Sequence, residues 1–182
     1  MRYRYHMKRP PTFDVESCRD LVEKLNREYK RFLHAVTREE QSDHAVNFSL
    51  TAWHLTDWVW EAKAGGRLEF KGDLAKEFEK WPGGDAGLKS FRKYILHRCG
   101  FLAYCEMVAT AAKHADVDQK DWRPDMETTA SASTTLNLDL DKIGEGWKWK
   151  IVDGENRPDA LAVFGAILYF WNKLIRRETV ER

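Results

Sequence analysis

The chain has 182 residues, 43% of them hydrophobic and 13% aromatic, a composition that fits one globular domain with a substantial core and excludes wholesale disorder. Lys and Arg number 30 against 29 Asp and Glu, a net charge of +1, so no global field favours nucleic acid or an acidic surface, although local patches remain open. Cys18, Cys99 and Cys105 form no C-x-x-C pair and fall on apolar helical positions, which predicts buried free thiols in a reducing compartment rather than a disulfide framework.

Residues 1–11 read as a basic tail, with Arg2, Arg4, Lys8 and Arg9 and no apolar core behind them, so they do not resemble a secretory signal. Residues 12–182 read as a single helical domain. A first helix can be capped by Thr12 or Asp14, and Cys18, Leu21, Leu25, Tyr29, Phe32 and Val36 keep three-four spacing through it. Thr37-Arg38-Glu39-Glu40 has the pattern of a capping box for a second helix, with Ser42 or Asp43 as alternative caps, and Gly65-Gly66 ends it. A short helix from Asp73 to Trp81 precedes the breaker cluster Pro82-Gly83-Gly84-Asp85. From about Leu88 to Ala115 the spacing predicts one long helix spanning about four nanometres, followed by a charged linker to Pro124.

Period then changes to two. Leu136, Leu138 and Leu140 alternate with polar residues, Gly144-Glu145-Gly146 reads as a turn, and Trp147, Trp149 and Ile151 alternate with Lys148 and Lys150. This predicts a β-hairpin over about residues 134–152. Pro158-Asp159 starts a last helix to about Arg177 that is apolar on nearly every side, the pattern of a helix at the centre of a bundle. Its longest apolar run, Ala160 to Trp171, is shorter than the about 20 residues that a bilayer needs, and a cytoplasmic location is expected. The expected fold is therefore mainly α: a bundle of about four main helices with one β-hairpin inserted before the C-terminal helix.

The second helix carries the most informative cluster. Ala45, Phe48, Ala52, Leu55, Val59 and Ala62 form an apolar stripe, while Trp53, His54, Asp57, Trp60 and Glu61 share the opposite surface. A carboxylate one turn from an imidazole can fix its tautomer or raise its pKa, so His54 with Asp57 is a candidate for acid–base work. A buried histidine hydrogen-bonded to its neighbour explains the same residues. Glu106 is the lone charge between Cys99 and Ala112, and it needs a partner, with Lys113 on the same face, or a wet edge. Lys113 and His114 could hold a phosphate with His114 as proton donor, or simply complement the end of the helix dipole. The expected arrangement joins His54 and Asp57 to Glu106 or Lys113. Neither H-E-x-x-H nor a Glu-x-x-His pair occurs, nor any common phosphate-loop or hydrolase motif, so neither metal nor cofactor is expected.

Trp53-His54-x-x-Asp57-Trp58, then Ala109-x-x-x-Lys113-His114, a hairpin and a closing apolar helix, resembles a group of uncharacterised bacterial all-α proteins, close to the HEPN-like helical domains of conflict and toxin systems. The likeness covers roughly residues 42–178 and rests on short motifs. It implies a helical fold and, in ribonuclease members, an Arg that binds the scissile phosphate, then four to six residues, then a His for proton transfer. Before His114 that arginine is replaced by Met107, Val108 and Ala109, whereas Arg27 with His34, Arg38 with His44, and Arg92 with His97 all satisfy the spacing. Three functions follow: a non-catalytic HEPN-like module binding a partner protein, nucleotide or RNA through Trp53, His54, Asp57 and Trp60; a metal-independent ribonuclease or other phosphate-handling enzyme; or a structural homodimer. Little or no RNA cleavage is expected, and whether the chain is an enzyme stays open.

Overall fold

The structure, a computed structural model, describes residues 14–83, 86–113, 126–136, 143–153, 155 and 158–181. Helix α1 spans Cys18–His34 and is capped by Ser17, whose hydroxyl accepts from the Asp20 amide at 3.1 Å while the Asp20 carboxylate accepts from the Ser17 amide at 2.9 Å. This reciprocal box, not Thr12 or Asp14, sets the start; such a cap contributes about 1 kcal/mol. Val36 lies beyond the end of α1 and is 76% exposed, so the apolar stripe stops one step earlier than its spacing suggested.

The expected capping box of the second helix is present. Thr37 and Glu40 start α2, Arg38–Ala64, and Gly65 caps its end, with Gly66 in the left-handed region at φ 68°. Strand β1, Leu68–Phe70, and helix α3, Gly72–Lys80, follow.

The long helix expected from Leu88 to Ala115 is instead two: α4, Leu88–Arg98, and α5, Leu102–Lys113. At Cys99 the backbone leaves helical space (φ −140°, ψ 84°), and three-residue turns restart the chain, from Leu102 N to Cys99 O and Ala103 N to Gly100 O. On either side of the bend, α4 and α5 each pack on α2.

The hairpin is present and antiparallel, but it begins earlier than residue 134. Strand β2 is Met126–Leu136 and β3 is Ile143–Asp153, with Leu136 opposite Ile143. Gly144-Glu145-Gly146 is therefore part of a strand, opposite Ser133 to Thr135, and the connection lies between 136 and 143. Leu138 and Leu140 lie outside the described residues, as does the linker from Asp116 to Pro124.

Asp159 caps α6, Ala160–Arg177, its carboxylate accepting from the Leu161 and Ala162 amides. Val163, Phe164, Ile167, Trp171 and Leu174 are buried, and α6 touches both α1 and α2. Each such large apolar side chain contributes about 1.5–3 kcal/mol on burial. Tyr169 remains 65% exposed, however, so α6 keeps an outer face. The central element is α2, which touches α1, α4, α5, α6 and β1. A three-residue strand β4, Thr179–Glu181, pairs with β1 and returns the C-terminal segment to residues 68–70. The fold is thus a mainly helical bundle with an inserted hairpin, as the patterning predicts. Among the described residues no helix is long and apolar enough to cross a membrane.

Candidate functional site

The polar cluster on α2 finds its partner on α4. Arg92 Nη2 donates to Asp57 Oδ1 at 2.6 Å, and Arg92 Nε approaches the Thr56 hydroxyl at 3.4 Å. The Thr56 hydroxyl in turn donates to the Trp53 carbonyl at 2.7 Å, turning its lone pairs towards the guanidinium. The guanidinium carbon lies 5.0 Å from the centre of the Trp53 ring, a cation–π arrangement. Arg92 and Asp57 are about equally open, 33% and 35% exposed. The pair is therefore water-accessible and contributes little to stability, within about 1 kcal/mol.

The expected face is only partly a surface. Trp53 is 6% exposed. Trp60 is half-buried, its ring 5.7 Å from that of Phe91, with the Lys63 ammonium 5.6 Å from its centre. The tryptophans of α2 are thus largely covered within the chain, while His54 and Glu61 are exposed. His54 has no hydrogen-bond partner among the described residues, so it is not the buried, tautomer-fixed imidazole of either sequence reading. Glu106 is half-buried on α5, and its carbonyl accepts from the Thr110 hydroxyl at 2.8 Å. The described partners of Asp57 are Arg92 and Thr56 rather than Glu106. The Lys113 side chain and His114, the other members of the expected network, lie outside the described residues.

Helix α4 contains Lys89, Arg92, Lys93, His97 and Arg98 and no acidic residue. At about 100° per residue, Arg92, Lys89, Lys93 and His97 follow one another around about 140° of its circumference. Phe91, Tyr94 and Ile95 occupy the buried side, and Lys89, Lys93 and His97 are exposed. The arc is bounded by aromatic rings: Trp53 under Arg92 at one edge, and Trp81 beside His97 at the other, with ring centroids 5.1 Å apart. Arg98 points away and is fixed by Glu178 through two bonds, 3.1 and 3.3 Å, with Glu77 at 3.8 Å. Acids that meet α4 besides Glu178 are Asp57, paired with Arg92, and Glu77, which accepts from the Tyr94 hydroxyl at 3.4 Å.

A second charged cluster lies between α1 and α2. Glu28, only 5% exposed, is met by Arg31 at 2.8 Å, Lys24 at 3.9 Å and His44 at 3.5 Å. Lys24 also donates to the Thr51 hydroxyl at 2.5 Å. His44 Nδ1 and Glu28 Oε2 are at ion-pair distance without hydrogen-bond alignment. Its sequence signal is positional: Glu28 falls three residues after Leu25 and four before Phe32, on the apolar stripe itself.

Cys18, Cys99 and Cys105 are free and buried. Burial pushes Cys105 up to about 12, and burial together with the nearby Glu181 carboxylate does the same to Cys18; burial also raises Cys99. No group of three metal-ligating side chains occurs among the described residues. No family model, curated protein or solved structure matches the chain.

Proposed function

We propose that the protein is a HEPN-like helical module that binds single-stranded RNA without cleaving it, with the outer face of α4 as the contact surface. The observation that carries this reading is the arc from Arg92 through Lys89 and Lys93 to His97 on a helix without an acidic residue of its own, bounded by Trp53 and Trp81. Cations spaced along one face meet phosphates, and the aromatic ring beside His97, itself half-buried, offers an edge on which a base can stack. The Arg and His of the matching spacing occupy opposite shoulders of the arc, one held by Asp57 and one against Trp81, so they do not converge on a single phosphate. That separation favours binding over hydrolysis, which needs base and phosphate donor within hydrogen-bond reach of one reacting group.

The test is fluorescence anisotropy of a labelled oligoribonucleotide across a salt series. For about four phosphate contacts, the slope of log affinity against log salt is about −3. The double variant Lys89→Glu with Lys93→Glu should bind at least about tenfold more weakly, with a slope shallower by about 1.4. The same RNA should remain intact on a gel. Binding unaffected by the double variant would overturn the reading, and turnover lost in a folded His97→Ala variant would replace it with the ribonuclease reading.

A further inference from the structure

A cavity of about 120 Å³ lies where α2, α5 and α6 meet β3, on residues distinct from the α4 arc. Its walls are regular products of helical spacing: Ala45 and Val46 from α2, Tyr104 and Val108 from α5 one turn apart, and Phe164 from α6. Phe164 is held in place by Phe48, ring centroids 4.3 Å apart, and by Phe32 at 5.1 Å, so the floor cannot easily collapse into the space. The hollow is open to solvent on one side, and its walls, which include the Tyr104 and Phe164 rings, leave room for an occupant. An apolar cavity of about 150 Å³ accommodates benzene, which sets the size of that occupant at one small ring or a short branched chain.

The charge at the cavity sets its chemistry. Among the described residues Lys150, exposed on β3, is the one charged side chain of the lining, and none of them is a carboxylate. Asp159, whose chain is bridged to that of Lys150, uses its carboxylate to accept from the Leu161 and Ala162 amides as the α6 cap. The hydrogen bond from the Ile151 amide to the Pro158 carbonyl, 3.1 Å, fixes the strand residue next to Lys150 against the start of α6. We propose that this cavity binds a small carboxylic acid with a single-ring or short branched apolar body, the body among Val46, Val108 and Phe164 and the carboxylate facing the Lys150 ammonium. The Ser49 hydroxyl lies in the same wall.

The experiment titrates the full chain with benzoate and, separately, with its neutral isostere benzamide, following the methyl resonances of Val46 and Val108. Benzoate should give saturable shifts with a Kd of about 0.1–1 mM, the range open to so few atoms. Benzamide should bind about fivefold more weakly, as expected for loss of one surface-exposed ion pair. Lys150→Met should make the two affinities equal, while Val108→Phe, which fills the space, should abolish both. If Val108→Phe does not fold, Lys150→Met still decides the matter, because its side chain is exposed. Absence of saturable shifts at Val46 and Val108, equal binding of the two probes by the wild type, or a benzoate preference that survives Lys150→Met would each overturn the proposal.

Discussion

Two acid–cation clusters join α2 to its neighbours, and they sit in opposite surroundings. Glu28 is 5% exposed and gathers Lys24, Arg31 and His44, whereas Asp57 is 35% exposed and holds Arg92 alone. Burying a carboxylate is costly unless cations compensate it, so the inner cluster answers to the packing of α1 on α2. The outer pair costs little to form and little to break, because water can replace either partner. Its guanidinium can therefore exchange a carboxylate for a phosphate at little cost, whereas drawing Arg31, itself 55% exposed, away from Glu28 would leave a buried carboxylate with less compensation.

Reversing the charge at each position should separate the two clusters most widely. Glu28→Lys places a cation beside Lys24 and Arg31 in place of a buried carboxylate and should destabilise the fold by about 3–5 kcal/mol in urea denaturation. Asp57→Lys, in the open pair, should change stability by no more than about 1 kcal/mol. Similar losses at the two sites would remove the distinction between a structural cluster and an available one.

The pH dependence of stability sharpens the contrast between interior and surface. Cys18 and Cys105 are raised from an ordinary 9.0 to about 12 by burial, so the unfolded chain loses those protons first. The sign follows: their contribution is fully present below about 9 and is lost as pH rises through 12. The unfolding midpoint should fall over that window, with a shallower fall in a Cys18→Ala, Cys105→Ala double variant. All three thiols should resist a disulfide reagent near pH 8 in the native state and react once denatured.

A smaller effect is expected from Asp57→Asn, which releases Arg92 from its carboxylate. RNA affinity should rise about two- to threefold, with Glu28→Gln leaving it unchanged. A response to Glu28→Gln in a stable protein would move the binding surface to the α1–α2 side.

Much of the helical plan is legible in the sequence because caps are local. The Thr37 and Glu40 box, Gly65-Gly66 and Asp159 each occupy the boundary that their chemistry predicts. The break at Cys99 is not legible, since apolar residues continue across it and one glycine is a weak stop signal. The hairpin register is misread for the opposite reason. Gly144 and Gly146 resemble a turn, whereas in the Thr- and Ser-rich Met126–Leu136 strand the alternating positions are filled by small Ala130 and Ala132, too weak a pattern to announce it. On the site, periodicity places Asp57 on the face opposite the apolar stripe but cannot name a partner 35 positions away. The missed signals were compositional: an acid-free helix at residues 88–98 and a glutamate at a core position of α1.

The most direct test is a residue-resolved footprint of single-stranded RNA on the amide and arginine side-chain resonances of the full chain. The account predicts that Lys89, Lys93 and His97 shift first and most, that the Arg92 Nε signal moves with them, and that Arg31 and His44 stay still. Shifts centred on the α1–α2 cluster, or no saturable shifts on α4, would contradict it.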